Sequence, residues 1–220
     1  MTIDTEDLLN SILDSLSRIE YIKPDEIPNI DLYMDQVTTF MDSRLKPSTR
    51  KPNDDKILTK TMINNYAKND LLPPPVKKKY SKEHVLLLIF IYYYKGIMSI
   101  SDIQNLLCPI TDKFFGKKEG FTLEDLYNEV FSLEPAIVEE MKEDVKKKYL
   151  RAQGTYDQAP EEDREFLKTF AFICMLSVDV YVKKLMIEKL IDSLPKSVNG
   201  QPEEAGKGED KKTEPSKKKN

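Results

Sequence analysis

Apolar residues recur every three or four positions along most of the chain, which is the spacing of one face of an α-helix. In the first such segment, Leu9, Ile12, Leu13 and Leu16 alternate with acidic and polar residues. Prolines and polar capping residues separate the segments from one another. The pattern predicts helices over residues 5–19, 30–45, 58–68, 82–94, 101–107, 122–133, 135 to about 151, and 161–194.

Capping and breaking residues fix several of these boundaries. Thr59 and Ser81 are expected N-caps, because a hydroxyl oxygen can accept a hydrogen bond from the first free backbone N–H groups of a helix. The three prolines at 73–75 prevent the third helix from continuing. We expect the fifth helix to end at Cys108–Pro109 for the same reason, and residues 46–56 to form a loop.

The composition agrees with an all-α fold. The chain has 220 residues, enough for one ordinary domain or two small ones, and only 7 of them are glycine. The middle of segment 161–194 is apolar on more than one face, so it must be buried in the domain or against a partner subunit. Segment 196–220 is rich in Lys, Glu, Gly and Pro and is expected to be a disordered charged tail.

Charge is distributed unevenly along the chain. The formal net charge is −4, but residues 44–82 contain eleven basic and three acidic residues and so carry +8, which leaves −12 on the rest. This asymmetry favours a segment that faces a polyanion, attached to an acidic body. A solvated surface of loop and helix explains the same count equally well, because runs of lysine are common.

The sequence contains no signal for export or for a membrane. The first sixteen residues are acidic and amphipathic, and the longest apolar runs, 85–94 and 170–176, are too short to span a bilayer. Cys108 and Cys174 lie far apart and lack the spacing of a metal or redox motif. We therefore expect a cytoplasmic protein with reduced cysteines and no membrane partner, with Cys174 as a small core side chain.

The chemistry of an enzyme is missing. His84 is the only histidine, and its place near the start of a predicted helix indicates a surface or half-buried role. A general base needs a positioned partner, and a metal site usually needs several ligands. No glycine-rich phosphate loop occurs either. We expect no catalytic residue, no metal site and no cofactor.

Residues 59–69 have the pattern of a helix that could read DNA. Met62, Ile63 and Tyr66 fall on one face and are expected in the core. The residues left on or beside the outer face are Lys60, Thr61, Asn64, Asn65 and Lys68. Asparagine can bond adenine in bidentate fashion, threonine can touch the thymine methyl group, and lysine can reach guanine or phosphate. The alternative is that Asn64 and Asn65 are merely solvated near a helix end.

A basic strip follows the three prolines. Lys77, Lys78 and Lys79 read as a short extended segment beside the predicted recognition helix, where a wing would bind phosphates. Arg50 and Lys51 are expected to hold further phosphates from the preceding loop. The alternative for the strip is an ordinary charged connector.

Segment 58–75 resembles the recognition-helix region of the MerR class of transcription regulators. The residues that carry the resemblance are Thr59, Tyr66, Leu71, Leu72, Pro73 and Tyr80. Asn64 and Asn65 stand where that class usually has an arginine and a first tyrosine, and the wing is shortened. The resemblance implies a winged helix-turn-helix that binds DNA, with Tyr80 closing the wing at the DNA-binding surface.

The chain also resembles an uncharacterised bacterial family, number eighteen thirty-six among the domains of unknown function. The resemblance lies in TKTMINNY (59–66), KKKYSKEH (77–84) and VYVKKLMIEKLID (180–192). It implies a MerR-like winged helix-turn-helix with a helical C-terminal part, and it implies no known activity.

These observations favour a sequence-specific DNA-binding transcriptional regulator. The expected organisation is an amphipathic helix in 1–25, a MerR-like helix-turn-helix domain in 26–110, a helical region in 111–195, and the tail. Double-stranded DNA is the expected partner, and a homodimer through 161–194 would read two half-sites. A helix-turn-helix-shaped module that binds an acidic protein is the alternative. A regulator that also senses an unidentified effector through its aromatic C-terminal helices is compatible with the first.

Overall fold

A computed structural model describes residues 5–16, 21–46, 49 and 57–195, and it is mostly helical, as the periodicity predicts. The elements, in chain order, are α1 (Thr5–Leu16), β1 (Leu32–Tyr33), α2 (Met34–Leu45), α3 (Lys60–Lys68), β2 (Lys79–Tyr80), α4 (Lys82–Tyr94), α5 (Ile100–Phe114), α6 (Leu123–Ser132), α7 (Glu134–Gln153) and α8 (Glu161–Asp192). The charged tail 196–220 lies outside the described residues. Within the described part, no helix is both long enough and apolar enough to cross a membrane.

Helix α4 is the centre of the main core. Its residues from His84 to Ile91 are all buried, so this helix is enclosed by its neighbours. The core also includes Leu123 and Tyr127 of α6 and Ile191 near the end of α8. The buried hydroxyl of Tyr127 donates a hydrogen bond to the carbonyl of Ile22 over 2.7 Å, which ties the segment before α2 to this core.

The expected helix 30–45 is wrong at its start, because Leu32 and Tyr33 form a strand. The strand pairs antiparallel with β2, with Leu32 opposite Tyr80 and Tyr33 opposite Lys79. Helix α2 then begins at Met34, and Oε1 of Gln36 accepts a hydrogen bond of 2.8 Å from the N–H of Tyr33. The strand satisfies backbone groups that a longer helix would otherwise have used.

The expected end of the fifth helix at Cys108–Pro109 is also wrong. Helix α5 runs through Pro109 to Phe114. A proline inside a helix removes one backbone hydrogen bond and disfavours the turn before it. The turn beyond the proline is nevertheless packed, because Ile110 and Phe114 lie against the main core. Burial of these side chains outweighs the local cost of the proline.

Helices α7 and α8 form a long hairpin against which α1 packs. Leu9 and Leu13 of α1 form a small second cluster with Tyr149 of α7, and Phe172 of α8 packs beside it. Cys174 is exposed on α8, so its expected place in the core is wrong. Its apolar neighbours in sequence are spread around the helix, and only one side of α8 faces α7.

Candidate nucleic-acid interface

Helix α3 divides cleanly into a buried and an exposed face. Thr59 is its N-cap, as predicted, and its hydroxyl oxygen accepts a hydrogen bond of 3.2 Å from the N–H of Met62. Ile63 and Tyr66 are buried in the main core. The five polar residues expected on the outer face are all exposed, namely Lys60, Thr61, Asn64, Asn65 and Lys68. Helical periodicity alone separates the two faces.

The basic strip is a tight hairpin. Val76 and Lys79 exchange two backbone hydrogen bonds of 3.0 Å each, which leaves only Lys77 and Lys78 in the turn. Both turn lysines have positive φ angles, 50° and 65°. This is the backbone of a type I′ turn, which asparagine and glycine adopt far more readily than lysine. The two ammonium groups therefore lie at an exposed tip.

The hairpin is held to the helical part by the small sheet. Strand β2 follows the turn directly and pairs with β1, which leads into α2. The ammonium of Lys79 lies 5.2 Å from the ring centroid of Tyr33, whose ring is largely exposed. No pattern in the sequence marks Tyr33 as part of this surface, because a two-residue strand is too short to show a period.

Several contacts fix α3 relative to the elements around it. Lys60 forms an ion pair with Asp35 of α2. The N–H groups of Leu71 and Leu72 donate to the carbonyl of Tyr66, over 2.9 and 3.2 Å, and close the C-terminal end of the helix. From α5, Nε2 of Gln104 donates to the carbonyl of Asn69 over 2.9 Å. Helix α3 and strand β2, which follows the hairpin turn, both contact α2.

One expected site residue, Tyr80, is buried, and two others lie outside the described residues. Tyr80 is only 2% exposed, and its ring meets that of His84 edge-on at a centroid distance of 5.5 Å. Burial also raises the pKa of Tyr80 above its ordinary value. Its side chain cannot reach a ligand without leaving the core, so we leave it out of the interface. Arg50 and Lys51 lie outside the described residues.

His84 is buried, so the surface or half-buried position expected for it is wrong. Its Nδ1 accepts hydrogen bonds from the N–H of Ser81 at 3.0 Å and from the hydroxyl of Ser81 at 2.8 Å. The ring is also packed edge-on against Phe115, at a centroid distance of 4.8 Å. Burial lowers the pKa of His84, and the carbonyls of Pro74 and Pro73 and the carboxylate of Asp31 oppose part of that shift.

Replacing His84 by glutamine should weaken the dependence of stability on pH. The folded state lowers the pKa of His84 below 6.5, so the unfolded chain takes up this proton first as the pH falls. The contribution of uncharged His84 to the free energy of unfolding is full above the pKa that this residue has in the unfolded chain. It decreases as the pH falls through 6.5 towards the lower pKa that His84 has in the folded protein. Glutamine keeps an acceptor for the N–H of Ser81 but does not titrate.

The measurement is urea denaturation of wild type and His84→Gln at about pH 7.5 and 5.5, on either side of the ordinary histidine pKa. We expect wild type to lose more free energy of unfolding between the two pH values than the variant does. Equal losses in both proteins would contradict this account of His84.

No cluster of three or more residues that could hold a metal ion occurs in the described part of the chain. The exposed polar groups on α3 and at the hairpin tip are amides, a hydroxyl and ammonium groups. Such groups can donate hydrogen bonds to a polyanion, and the positively charged ammonium groups also attract it.

Residues 22–130 match the family described as Domain of unknown function (DUF1836). The match includes the segments 59–66 and 77–84, and it ends before segment 180–192, on which the sequence resemblance also drew. Neither the curated proteins nor the solved structures contain a match to this chain.

Proposed function

We propose that this chain, whose residues 22–130 match that family, is a sequence-specific DNA-binding transcriptional regulator of the MerR-like winged helix-turn-helix type. Helix α3 enters the major groove and presents Thr61, Asn64 and Asn65 to base edges. Lys77 and Lys78 at the hairpin tip bind backbone phosphates and set the position of the helix. The proposal assigns no catalytic step to the protein.

The observation that carries the proposal is an exposed polar face on α3 together with an exposed basic hairpin, since α3 and the strand that follows the hairpin turn both contact α2. A recognition helix must keep its outward side chains free while its other face holds it rigidly. Ile63 and Tyr66 provide the buried face, and Asn64 and Asn65 lie between them in sequence on the exposed one. Two adjacent asparagines are poor helix formers, so base recognition gives a reason for their presence.

The order of elements also supports a winged helix-turn-helix. Helices α2 and α3 are followed by the hairpin and then by α4, and the strand before α2 pairs with the strand after the hairpin. The wing is short, because its turn contains only Lys77 and Lys78. A short wing can reach a nearby phosphate but offers few further contacts, so in this proposal α3 reads the base sequence.

Electrostatics orient the protein on DNA. The net charge of +8 in residues 44–82 contrasts with −12 elsewhere, so phosphates attract this surface and repel the acidic body. Lys60 is paired with Asp35, and we therefore assign it a smaller share of phosphate binding than Lys68, Lys77 or Lys78. The overall negative charge keeps non-specific binding weak, and it favours sites where bases are also read.

Replacing Asn64 by alanine should relax base preference, whereas replacing Lys68 by glutamine should weaken all sequences alike. A good bidentate contact contributes about 1–3 kcal/mol of discrimination against the wrong base, or about 5-fold to 150-fold in relative affinity. The measurement is affinity for the preferred site and for random duplex DNA, with both variants. Equal losses on the two DNAs for Asn64→Ala would exclude its role in base reading.

The second candidate is a module of the same shape that binds an acidic protein partner. The two-residue turn of the hairpin favours it, because so short a wing limits contact with DNA. If this candidate is right, the protein retains no duplex DNA even at low salt. Lys77 and Lys78 are then needed for the protein to capture one protein partner.

A further inference from the structure

Helix α8 carries apolar residues on several sides, and many of them are exposed, among them Val178, Met186 and Leu190. One face packs against α7, where the ring of Phe172 meets that of Tyr149 edge-on and Asp179 forms an ion pair with Lys148. Near the end of the helix, Ile187 and Ile191 pack on the main core. A helix with a single buried stripe would carry polar residues on its opposite side.

One exposed face of α8, on the side away from Phe172 and Asp179, is a regular seam. Phe166, Phe170, Ile173, Ser177, Val180 and Lys184 follow one another at intervals of four, three, four, three and four residues. This spacing of 3.5 residues per turn is that of one stripe in a pair of supercoiled helices. The apolar members are well exposed, with Phe166 at 70%, Phe170 at 49%, Ile173 at 54% and Val180 at 66%. The seam ends before Ile187, because the side chain of Ile187 packs against the main core.

We propose that this seam pairs with the same seam of a second copy of the chain, with the two α8 helices antiparallel. The charges at the two ends of the seam are opposite. Residues 161–170 carry a net charge of −2, from Glu161, Glu162, Asp163 and Glu165 against Arg164 and Lys168, and residues 180–192 carry +1, from Lys183, Lys184 and Lys189 against Glu188 and Asp192. Antiparallel pairing brings each acidic end to a basic end, whereas parallel pairing places like charges together.

The same arrangement is self-complementary. Antiparallel pairing centred near residue 175 places Phe166 level with Lys184 of the other copy, Phe170 level with Val180, and Ile173 level with Ser177. Every contact then occurs twice about a two-fold axis, which is the closed symmetry of most homodimers. The aromatic rings at one end of each seam cover the smaller residues and the lysine stem at the other end.

The exposed apolar area is sufficient for a dimer. The exposed apolar surface is on the order of 500 Å² per chain, and it comes from side chains that are 49% to 70% exposed, namely Phe166, Phe170, Ile173, Val180 and the neighbouring Tyr181. A standard interface covers roughly 800 Å² per partner, a little over half of it apolar. A membrane surface fits less well, because an interfacial helix usually presents lysine and arginine rather than an acidic end.

The first test is the mass of the full chain in solution, by analytical ultracentrifugation over a range of micromolar concentrations. We expect a dimer for wild type and a monomer for Phe170→Asp. Leu150→Asp places the same charge at an exposed leucine of α7, off the seam, and should remain a dimer. Circular dichroism should show unchanged helix content in both variants, since both side chains are exposed. A monomeric wild type, or equal dissociation by both variants, would overturn the proposal.

The second test reports the direction of pairing. Cys174 flanks the seam next to its centre, and Cys108→Ser leaves it as the only thiol of the chain. Antiparallel pairing brings the two Cys174 side chains to the same side of the seam, so a short bis-maleimide should join them in high yield. Parallel pairing places them on opposite sides. A dimer that does not cross-link would overturn the antiparallel arrangement.

This inference stands apart from the proposal that the protein binds DNA. A monomer that selects a DNA sequence would contradict the dimer alone. A dimer that does not bind DNA would contradict the proposed function alone. A dimer that does bind should select two half-sites related by two-fold symmetry.

Discussion

Lys77→Gln together with Lys78→Gln should weaken binding to duplex DNA on the order of 10- to 100-fold, by nearly the same factor for every sequence. The physical reason is the position of the two ammonium groups at the exposed tip of the hairpin, where a phosphate can approach without displacing core residues. Losing two phosphate contacts should also make the plot of log affinity against log salt shallower by about 2. Fluorescence anisotropy at several salt concentrations measures both quantities.

The matched control is Lys147→Gln, an exposed lysine of α7. It removes one positive charge from the chain without touching α3 or the hairpin, and its effect should stay within the error of the titration. Glutamine takes the place of lysine in the turn with a similar backbone preference, so the hairpin is expected to persist. An unchanged salt slope in the double variant, or an equal effect of Lys147→Gln, would contradict the assignment of the tip to phosphates.

Ile63→Ala should lower the free energy of unfolding by about 2–5 kcal/mol. Ile63 is 0% exposed and lies on the face of α3 that packs into the main core. Its truncation removes apolar contact and leaves a cavity that surrounding side chains fill only in part. The measurement is urea denaturation followed by circular dichroism, with the slope compared between proteins so that a change in midpoint reports stability.

Thr61→Ala is the control on the same helix. Thr61 is exposed, and surface substitutions away from caps and networks usually change stability by no more than about 0.5 kcal/mol. The pair therefore tests which face of α3 is buried, independently of any ligand. A loss at Thr61→Ala as large as that at Ile63→Ala would mean that the two faces of α3 are assigned wrongly.

Most helices of this fold follow from local sequence, because a periodic apolar stripe and a capping residue act over a few positions. Helix α3 is an example, since Thr59 caps it and Ile63 and Tyr66 mark its inner face. The strand that begins at Leu32 cannot be predicted from the local sequence. Its partner, Tyr80, is distant in sequence, and two residues are too few to set a period. The helix through Pro109 depends likewise on distant packing that overrides a local signal.

The candidate site was predictable to a similar extent. The five exposed polar residues of α3 follow from helix geometry once the buried face is known. The tight turn at Lys77 and Lys78 does not, because lysine rarely has positive φ and the sequence lacks the asparagine and glycine that mark such turns. The burial of Tyr80 and His84 follows from the sheet and from packing against Phe115, just after α5, and neither leaves a local signal in the sequence.

The most direct test of the central claim is selection from a pool of random duplex DNA by the purified full chain, at two salt concentrations, followed by sequencing. The account predicts an enriched motif, with retention that falls steeply as salt rises because phosphates contribute to binding. No retention of any duplex at low salt would contradict the account. That result would favour the alternative, in which the basic hairpin binds an acidic protein partner.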